Sequence, residues 1–274
     1  MDSMNFIEAF NQEMRLRNPN FDITGLLTKD DKVYSLGTDT KVLSTIFEIL
    51  VRPFVYKIAE ENALEVYEPE QQNYYPDFTL MASKTDRQKI AVDVKTTYRN
   101  FNKNGSWKAR FTLGSYTSFL RKPQKNIAFH FDDYEHHYII GFIYTRIVKT
   151  ESQPASPLFN STSTKTSGVI DSEEIESNDL VQPLDKRALV LSPIKDVEYF
   201  VQEKYRIAGD SPGSGNTENI GSITASSIAE FVEGNGPFTQ LGEEVFIDYW
   251  RNYPPYRQPG NYRNLEEYLR WKKS

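Results

Sequence analysis

The stretch YYPDFTLMASKTDRQKIAVDVK, Tyr74 to Lys95, decides how the chain is read. KIAVDVK alternates as a strand does, with Ile90, Val92 and Val94 on one face and Lys89, Ala91, Asp93 and Lys95 on the other, because successive side chains of an extended chain point to opposite sides. An apolar strand thus carries an acid and an amine on one face, and a second acid, Asp77, directly follows Pro76. If DFTL and KIAVDVK pair as a hairpin across the polar loop ASKTDRQ, Asp77 comes beside Asp93 at the sheet edge, with Lys95 about 7 Å further along the same face. Two carboxylates that close repel each other unless a cation lies between them. Mg²⁺ fits such a place, since it prefers hard oxygen ligands, keeps several waters and completes its octahedron with phosphate oxygens. A neighbouring ammonium orients an attacking water or helps remove its proton. The plainer alternative is an ion pair on a half-exposed strand.

Upstream, FIEAFNQEM spaces Phe6, Ile7, Phe10 and Met14 along one face of a short helix. FDITGLL and KVYSLG read as small extended pieces either side of a charged turn. A strong helical period follows: Asp39 or Thr38 caps, and Val42, Ile46, Ile49 and Leu50 form the apolar face until Pro53 kinks or restarts the segment. Glu48 lies on the opposite stripe, where Arg52 at i+4 makes it an ordinary helix-surface pair.

Downstream, LEVYEP, PDFTL, KIAVDVKTTY and ARFTLGSY read as strands, then a helix near Ser118 to Lys125 and a further strand in HYIIGFIYTRIV. The pattern predicts an α/β (α+β) domain with a mixed sheet flanked by helices. From Thr150 to Asp185, seven acids stand against the single base Lys165, which accounts for the whole net charge of -6. This acidic, Ser/Thr-rich stretch, residues 150-185, reads as a mobile surface insert in a single domain spanning 1-274.

Zero cysteines exclude disulfides, Cys-ligated zinc and thiol nucleophiles, which fits a reducing cytoplasm. No N-terminal run resembles a signal peptide or membrane span, so a soluble cytoplasmic protein without membrane partners is expected. The three histidines show no spacing to an acid or Ser that would suggest a triad or a zinc site. The C-terminal segment mixes Arg251, Arg257, Arg263, Arg270, Lys272 and Lys273 with Trp250, Tyr253, Tyr256, Tyr262, Tyr268 and Trp271. Such a mixture suits a phosphate backbone, or else a solvated helix with an aromatic packing face.

Two loops add candidates. In GDSPGSGNTENIGS, Gly213 and Gly215 flank Ser214 and precede Asn216 and Thr217. The loop is no P-loop, lacking the GK[ST] ending. Asn pairs with adenine and Thr with the thymine methyl, so it could read a major groove, or be a plain flexible connection. QQNYYP places Gln72 and Asn73 just before Asp77, as a minor-groove contact or a polar turn.

LGTDTKVLSTIFE, EQQNYYPDFTL, KIAVDVKTTY, FTLGSYTSF, YTRI, AGDSPGSGNTENIGSI, FVEGNGPF and DYWRNY together, in that order from about residue 30 to residue 255, resemble the EcoRV family of type II restriction endonucleases, in the PD-(D/E)xK nuclease superfamily. The resemblance implies a close homologue or isoschizomer: a homodimer with a small dimerisation subdomain that grips double-stranded DNA and reads a palindrome, with GATATC the leading candidate. It would cut blunt with Mg²⁺, leave 5'-phosphates, and be paired with a protective DNA methyltransferase in a bacterial cytoplasm. It further implies that Asp77 and Asp93 are metal ligands, Lys95 the catalytic lysine and Glu48 an accessory acid at the metal. Gly213, Ser214, Gly215, Asn216 and Thr217 would form the major-groove recognition loop, Gln72 and Asn73 the minor-groove loop, and Thr117, Ser118 and Lys125 phosphate contacts. Glu218 departs from the family's neutral residue, and would accept from cytosine N4, repel phosphate or point away. A DNA-binding protein that has lost catalysis is the competing class.

Overall fold

A computed structural model of the chain describes residues 4–147, 181–190, 192–214 and 217–274. Most of the expected 150-185 insert therefore lies outside the described residues. The chain divides into two compact units, one of residues Met1–Asn20, Thr40–Ile143 and Glu198–Ser274, the other of Phe21–Asp39 and Tyr144–Val197.

The larger unit opens with α1 (Phe6–Arg17), capped by Asn5, whose side chain accepts from the Glu8 amide. Phe6, Phe10 and Met14 are its buried stripe, as their spacing predicts. The second helix, α2 (Thr40–Glu61), corrects the sequence reading of its apolar face. Its buried face is Leu43, Phe47, Val51, Phe54, Val55 and Ile58, while Val42 and Ile49 are 44% and 51% exposed. The run VLSTIFEILV is apolar nearly all round, so periodicity alone admits two faces, and Phe47 stacking on Phe142 at 4.4 Å selects between them. Pro53 lies inside the continuous helix. Val51, Phe54 and Val55, buried on either side of it, hold the helix together where one backbone bond is lost.

The central sheet comprises β3 (Glu65–Tyr67), β4 (Phe78–Met81), β5 (Lys89–Tyr98), β9 (Tyr134–Arg146) and β11 (Ile194–Glu203), in the order β11-β9-β5-β4-β3. β4 and β5 pair antiparallel with Phe78 opposite Val92 and Leu80 opposite Ile90. The expected hairpin forms, but in the sheet interior rather than at an edge. Interior strands bury both faces, which is why β5 is buried from Lys89 to Val94 and Asp93 is only 3% exposed. Alternation sends Phe142 of β9 towards α2, and Ile139 and Ile143 into a second, aromatic core. The expected helix at Ser118 to Lys125 is instead one π-helical turn, Tyr116–Leu120. Tyr116, Phe119 and Leu120 of that turn are buried in the second core, so packing rather than helical period sets its shape.

That core also takes residues of β8 (Thr112–Ser115), α3 (Lys204–Ile207), β12 (Ala208–Ser214), β13 (Thr217–Ser222), α4 (Ile228–Val232), α5 (Glu243–Asn252) and α6 (Leu265–Trp271). β12 and β13 form an antiparallel hairpin whose second arm pairs with β8. A small ribbon, β6 (Asn100–Phe101) with β7 (Trp107–Lys108), precedes β8. The smaller unit holds the sheet β1-β2-β10, formed by β1 (Gly25–Leu27), β2 (Lys32–Ser35) and β10 (Val181–Pro183). On β2 Val33 is buried, while Leu26 and Leu27 on β1 are exposed. No helix among the described residues is long and apolar enough to cross a membrane.

Candidate functional site

Continuing the register that puts Phe78 opposite Val92 brings Asp77 opposite Asp93. Asp77 Oδ2 accepts the Val94 amide at 2.6 Å, which fixes the carboxylate against the neighbouring strand. Lys95 Nζ lies 2.8 Å from Asp93 Oδ2 and 4.0 Å from Asp77 Oδ2, and also donates to the Val94 carbonyl. The two acids and the amine are thus gathered as the strand pattern predicts, with Asp93 buried and the Asp77 and Lys95 side chains each 24% exposed.

That setting governs their charges. Burial raises the Asp77 pKa well above 3.8, and the nearby Asp93 and Glu48 reinforce the rise against the opposing Lys95. Burial alone would depress Lys95, but Asp93 and Asp77 outweigh it and hold the amine protonated beyond its ordinary range. Asp93 Oδ2 is buried, with an ion-pair distance to Lys95 but no hydrogen-bond donor aligned on it. A cluster with excess negative charge and an orphaned carboxylate oxygen suits a hard divalent cation that takes one or two protein carboxylates and fills its remaining positions with water and phosphate oxygens. Among the described residues no group of three His, Cys, Asp or Glu side chains gathers for a metal. Glu48 accordingly stands a little apart. Its expected helix pair is absent, because Arg52 turns instead to Glu68, at 2.9 Å. Glu48 has a long contact from the Ser44 hydroxyl, at 3.5 Å, and burial raises its pKa, with Lys95 opposing the rise. It lines one cleft with Lys95 and another with Asp77 and Gln72.

The acids open into a cavity of about 420 Å³. Gln72 and Asn73 border it on one side, and Thr117, Ser118 and Lys125 on another. Tyr75 explains how these segments meet: its amide donates to the Asn126 carbonyl and its carbonyl accepts from Ala128, so the chain before Asp77 is stitched to the chain after Lys125. Asn219, which no motif singled out, also lines the cavity, brought there by pairing of β13 with Ser115 of β8.

The glycine-rich segment is a hairpin rather than a loose connection. Gly213 lies in β12, where a Cβ would come within 3.1 Å of the Ile220 carbonyl, so a side chain here would make the facing arm give by a few tenths of an ångström. Ser214 and Thr217 pair across the tip, and the expected readers Gly215 and Asn216 lie outside the described residues. Glu218 accepts the Tyr256 amide at 3.2 Å, an arrangement in which the acid is occupied by its own chain. In the C-terminal segment Trp250, Tyr253, Tyr262 and Tyr268 are buried in the aromatic core, leaving Tyr256 exposed. Their burial selects the packing-face alternative over a stacking surface for nucleic acid. Lys272 and Arg270 pair with Asp248 and Glu266.

Sequence reasoning missed Lys204, which reads as a surface residue after a strand. Its ammonium is buried without a hydrogen-bond partner, 4.2 Å from the Tyr75 ring centroid and 4.9 Å from that of Phe119, both rings of the cavity wall. Burial lowers its pKa to about 8, with Asp93 opposing the fall. The Tyr75 hydroxyl shares a 2.7 Å hydrogen bond with Nδ1 of the buried His137, whose pKa burial drives well below 6.5.

A family model described as restriction endonuclease EcoRV matches the chain in two segments, residues 17–175 and 167–273. The chain is also 45% identical over 256 residues to the type II restriction enzyme EcoRV of Escherichia coli, a match covering 93% of this chain and 92% of that protein.

Proposed function

The chain belongs to the EcoRV family of restriction endonucleases, and from that premise we propose that it is a type II site-specific deoxyribonuclease that hydrolyses phosphodiester bonds of duplex DNA. One observation carries the reading: a single cavity joins Asp77, Asp93 and Lys95 to Gln72 and Asn73 on one side and to Thr117, Ser118 and Lys125 on another. A catalysed small-molecule reaction needs no such spread of polar side chains along an open groove, whereas a nucleic-acid backbone passing the acids meets all of them.

Asp77 and Asp93 would hold Mg²⁺, with Glu48 as an accessory acid. When bound, the metal supplies charge neutralisation at the phosphate and an acidified water. Lys95 keeps its proton under the influence of both acids, so its role in this state is to orient water or phosphate and offset developing negative charge, not to abstract a proton. Ser118 and Thr117 offer hydroxyls, and Lys125 a cation, to the phosphate backbone. Gly213, Ser214, Gly215, Asn216 and Thr217 would read the major groove, and Gln72 with Asn73 would approach from the minor-groove side. A homodimer, built through the smaller unit, reads a palindrome because two-fold symmetry presents one reading hairpin to each half-site. GATATC, cut blunt to leave 5'-phosphates, is the leading target, with a protecting DNA methyltransferase as functional partner in a bacterial cytoplasm.

Plasmid DNA incubated with the protein and Mg²⁺, Ca²⁺ or chelator tests this, with the fragment ends sequenced. Discrete fragments with Mg²⁺ alone, sharing one palindromic end sequence, are expected. A mobility shift without cutting under any metal would instead identify a binding protein.

A further inference from the structure

Arg110 lies between β7 and β8, in the stretch ARFTLGSY, and carries none of the roles assigned above. Its Nε donates to the Ser222 carbonyl at 3.1 Å, and its Nη2 to the Ser211 carbonyl at 2.8 Å and the Ser211 hydroxyl at 2.9 Å. Ser211 belongs to β12 and Ser222 ends β13, so one planar fork binds both arms of the reading hairpin. The seat is shaped for it: a Cβ on Gly221 would lie 2.3 Å from Arg110 Nη2.

The other end of the residue belongs to the catalytic strand. The Arg110 carbonyl accepts from the Thr97 hydroxyl at 2.9 Å, and Thr97 follows Lys95 by two positions on β5. The next residue, the buried Phe111, donates its amide to the Ser222 hydroxyl at 2.8 Å, a second tie to the hairpin. Arg110 also lines the cleft shared by Glu48 and Lys95. None of its three side-chain acceptors is charged, so the guanidinium is spent on holding backbone in place. Bonds from a charged donor are about twice as strong as neutral ones.

We propose that Arg110 is a positioning residue that fixes the reading hairpin to the strand bearing Asp93 and Lys95, so that a hairpin seated on its correct sequence holds those side chains in place for cutting. The proposal rests on the nuclease reading. A displacement of about 1 Å at a reacting group costs on the order of 10²-fold in rate, which sets the scale of the effect.

The test compares wild type, Arg110→Lys and Arg110→Met on duplexes carrying the site that the wild type itself cuts, and on duplexes with one base pair of it changed. Arg110→Met keeps most of the aliphatic stem and loses the fork, and Arg110→Lys keeps the charge. Arg110→Met is expected to lower kcat at the correct site by roughly tenfold to a hundredfold with KM little changed, and to shrink the kcat/KM ratio between correct and altered sites. Arg110→Lys should recover part of both losses. A rise in KM with unchanged kcat, with the salt dependence of binding flattened by about one phosphate contact, would overturn the proposal and make Arg110 a backbone contact. Wild-type parameters in Arg110→Met would overturn it equally. Circular dichroism and melting check the fold; should Arg110→Met fail to fold, the kcat and discrimination of Arg110→Lys decide, with wild-type values counting against the proposal. A wild type that cuts nothing with Mg²⁺ defeats the nuclease reading before any variant is compared.

Discussion

At the scale of single residues, the site stores unfavourable charge. Asp93 is buried beside Asp77 and is offset by one amine, Lys95. Asp93→Ala should therefore cut cleavage by at least about 10²- to 10³-fold while leaving the melting temperature unchanged or higher, since one of two repelling acids is gone. Cleavage near the wild-type rate in a plasmid assay would defeat the metal assignment. Lys204 allows a test that needs no DNA. Its folded pKa, about 8, lies below the ordinary lysine value of 10.5 because burial opposes its charge. Between those values the unfolded chain binds more protons than the folded one, so the group's contribution to stability rises with pH through that window. Below pH 8 the full cost is present, at most about 3 kcal/mol on the scale of 1.36 kcal/mol per pKa unit. Lys204→Met, which fills the same space without charge, should be more stable than wild type at pH 7, and its advantage should shrink by pH 10. Urea denaturation at the two pH values measures it, and a pH-independent difference would mean that burial does not lower the Lys204 pKa.

Elements place these residues, and α2 shows how sequence pattern and packing divide the work. Its existence follows from the apolar period, but its orientation does not, because Val42, Leu43, Ile46, Phe47, Ile49, Leu50 and Val51 leave few polar positions to mark a solvent side. Tertiary contact with Phe142 decides, and turns Leu43 and Phe47 inward. Phe47→Ala should cost about 3–5 kcal/mol, the usual range for a buried phenylalanine, whereas Ile49→Lys should stay within about 0.5 kcal/mol, as surface changes do. Chemical denaturation of the two variants distinguishes the observed face from the one that periodicity suggests, and a larger loss at Ile49 than at Phe47 would restore the latter. The reading hairpin belongs to the same scale. Asn216→Ala should reduce cutting at the correct site and relax its discrimination while leaving melting unchanged, because an amide side chain proposed to read a base edge adds nothing to the core. A discrimination ratio equal to wild type, measured on duplexes with single altered base pairs, would remove that assignment.

Across the whole molecule, what was legible in the sequence is what depends on near neighbours. Ile90, Val92 and Val94 alternate, a polar loop separates the two strands, and so the meeting of Asp77 with Asp93 follows from local pairing. Burial of β5 on both faces, the π-helical turn at Tyr116–Leu120, and Lys204 behind Tyr75 all depend on segments far apart in the chain, and no short pattern encodes them. The aromatic C-terminal segment misleads for the same reason: Tyr253, Tyr262 and Tyr268 look like a stacking platform until the core they complete is seen. The smaller unit remains to be accounted for. Leu26 and Leu27 are 59% and 53% exposed on β1, an edge strand of the three-stranded sheet, and Tyr34 on β2 is 39% exposed. Among the described residues β1 pairs on one side only; an edge strand with large apolar side chains invites pairing with another chain, and the palindromic target proposed above calls for a second copy held in two-fold register. Light scattering coupled to size exclusion should give twice the chain mass for wild type. Replacing Leu26 and Leu27 together by lysine should give the single-chain mass without lowering the melting temperature of the larger unit, because neither side chain is buried. Such a monomer should lose cutting of a two-half-site duplex, since each copy supplies one reading hairpin and one set of acids. A double variant that stays dimeric would move the subunit interface away from β1.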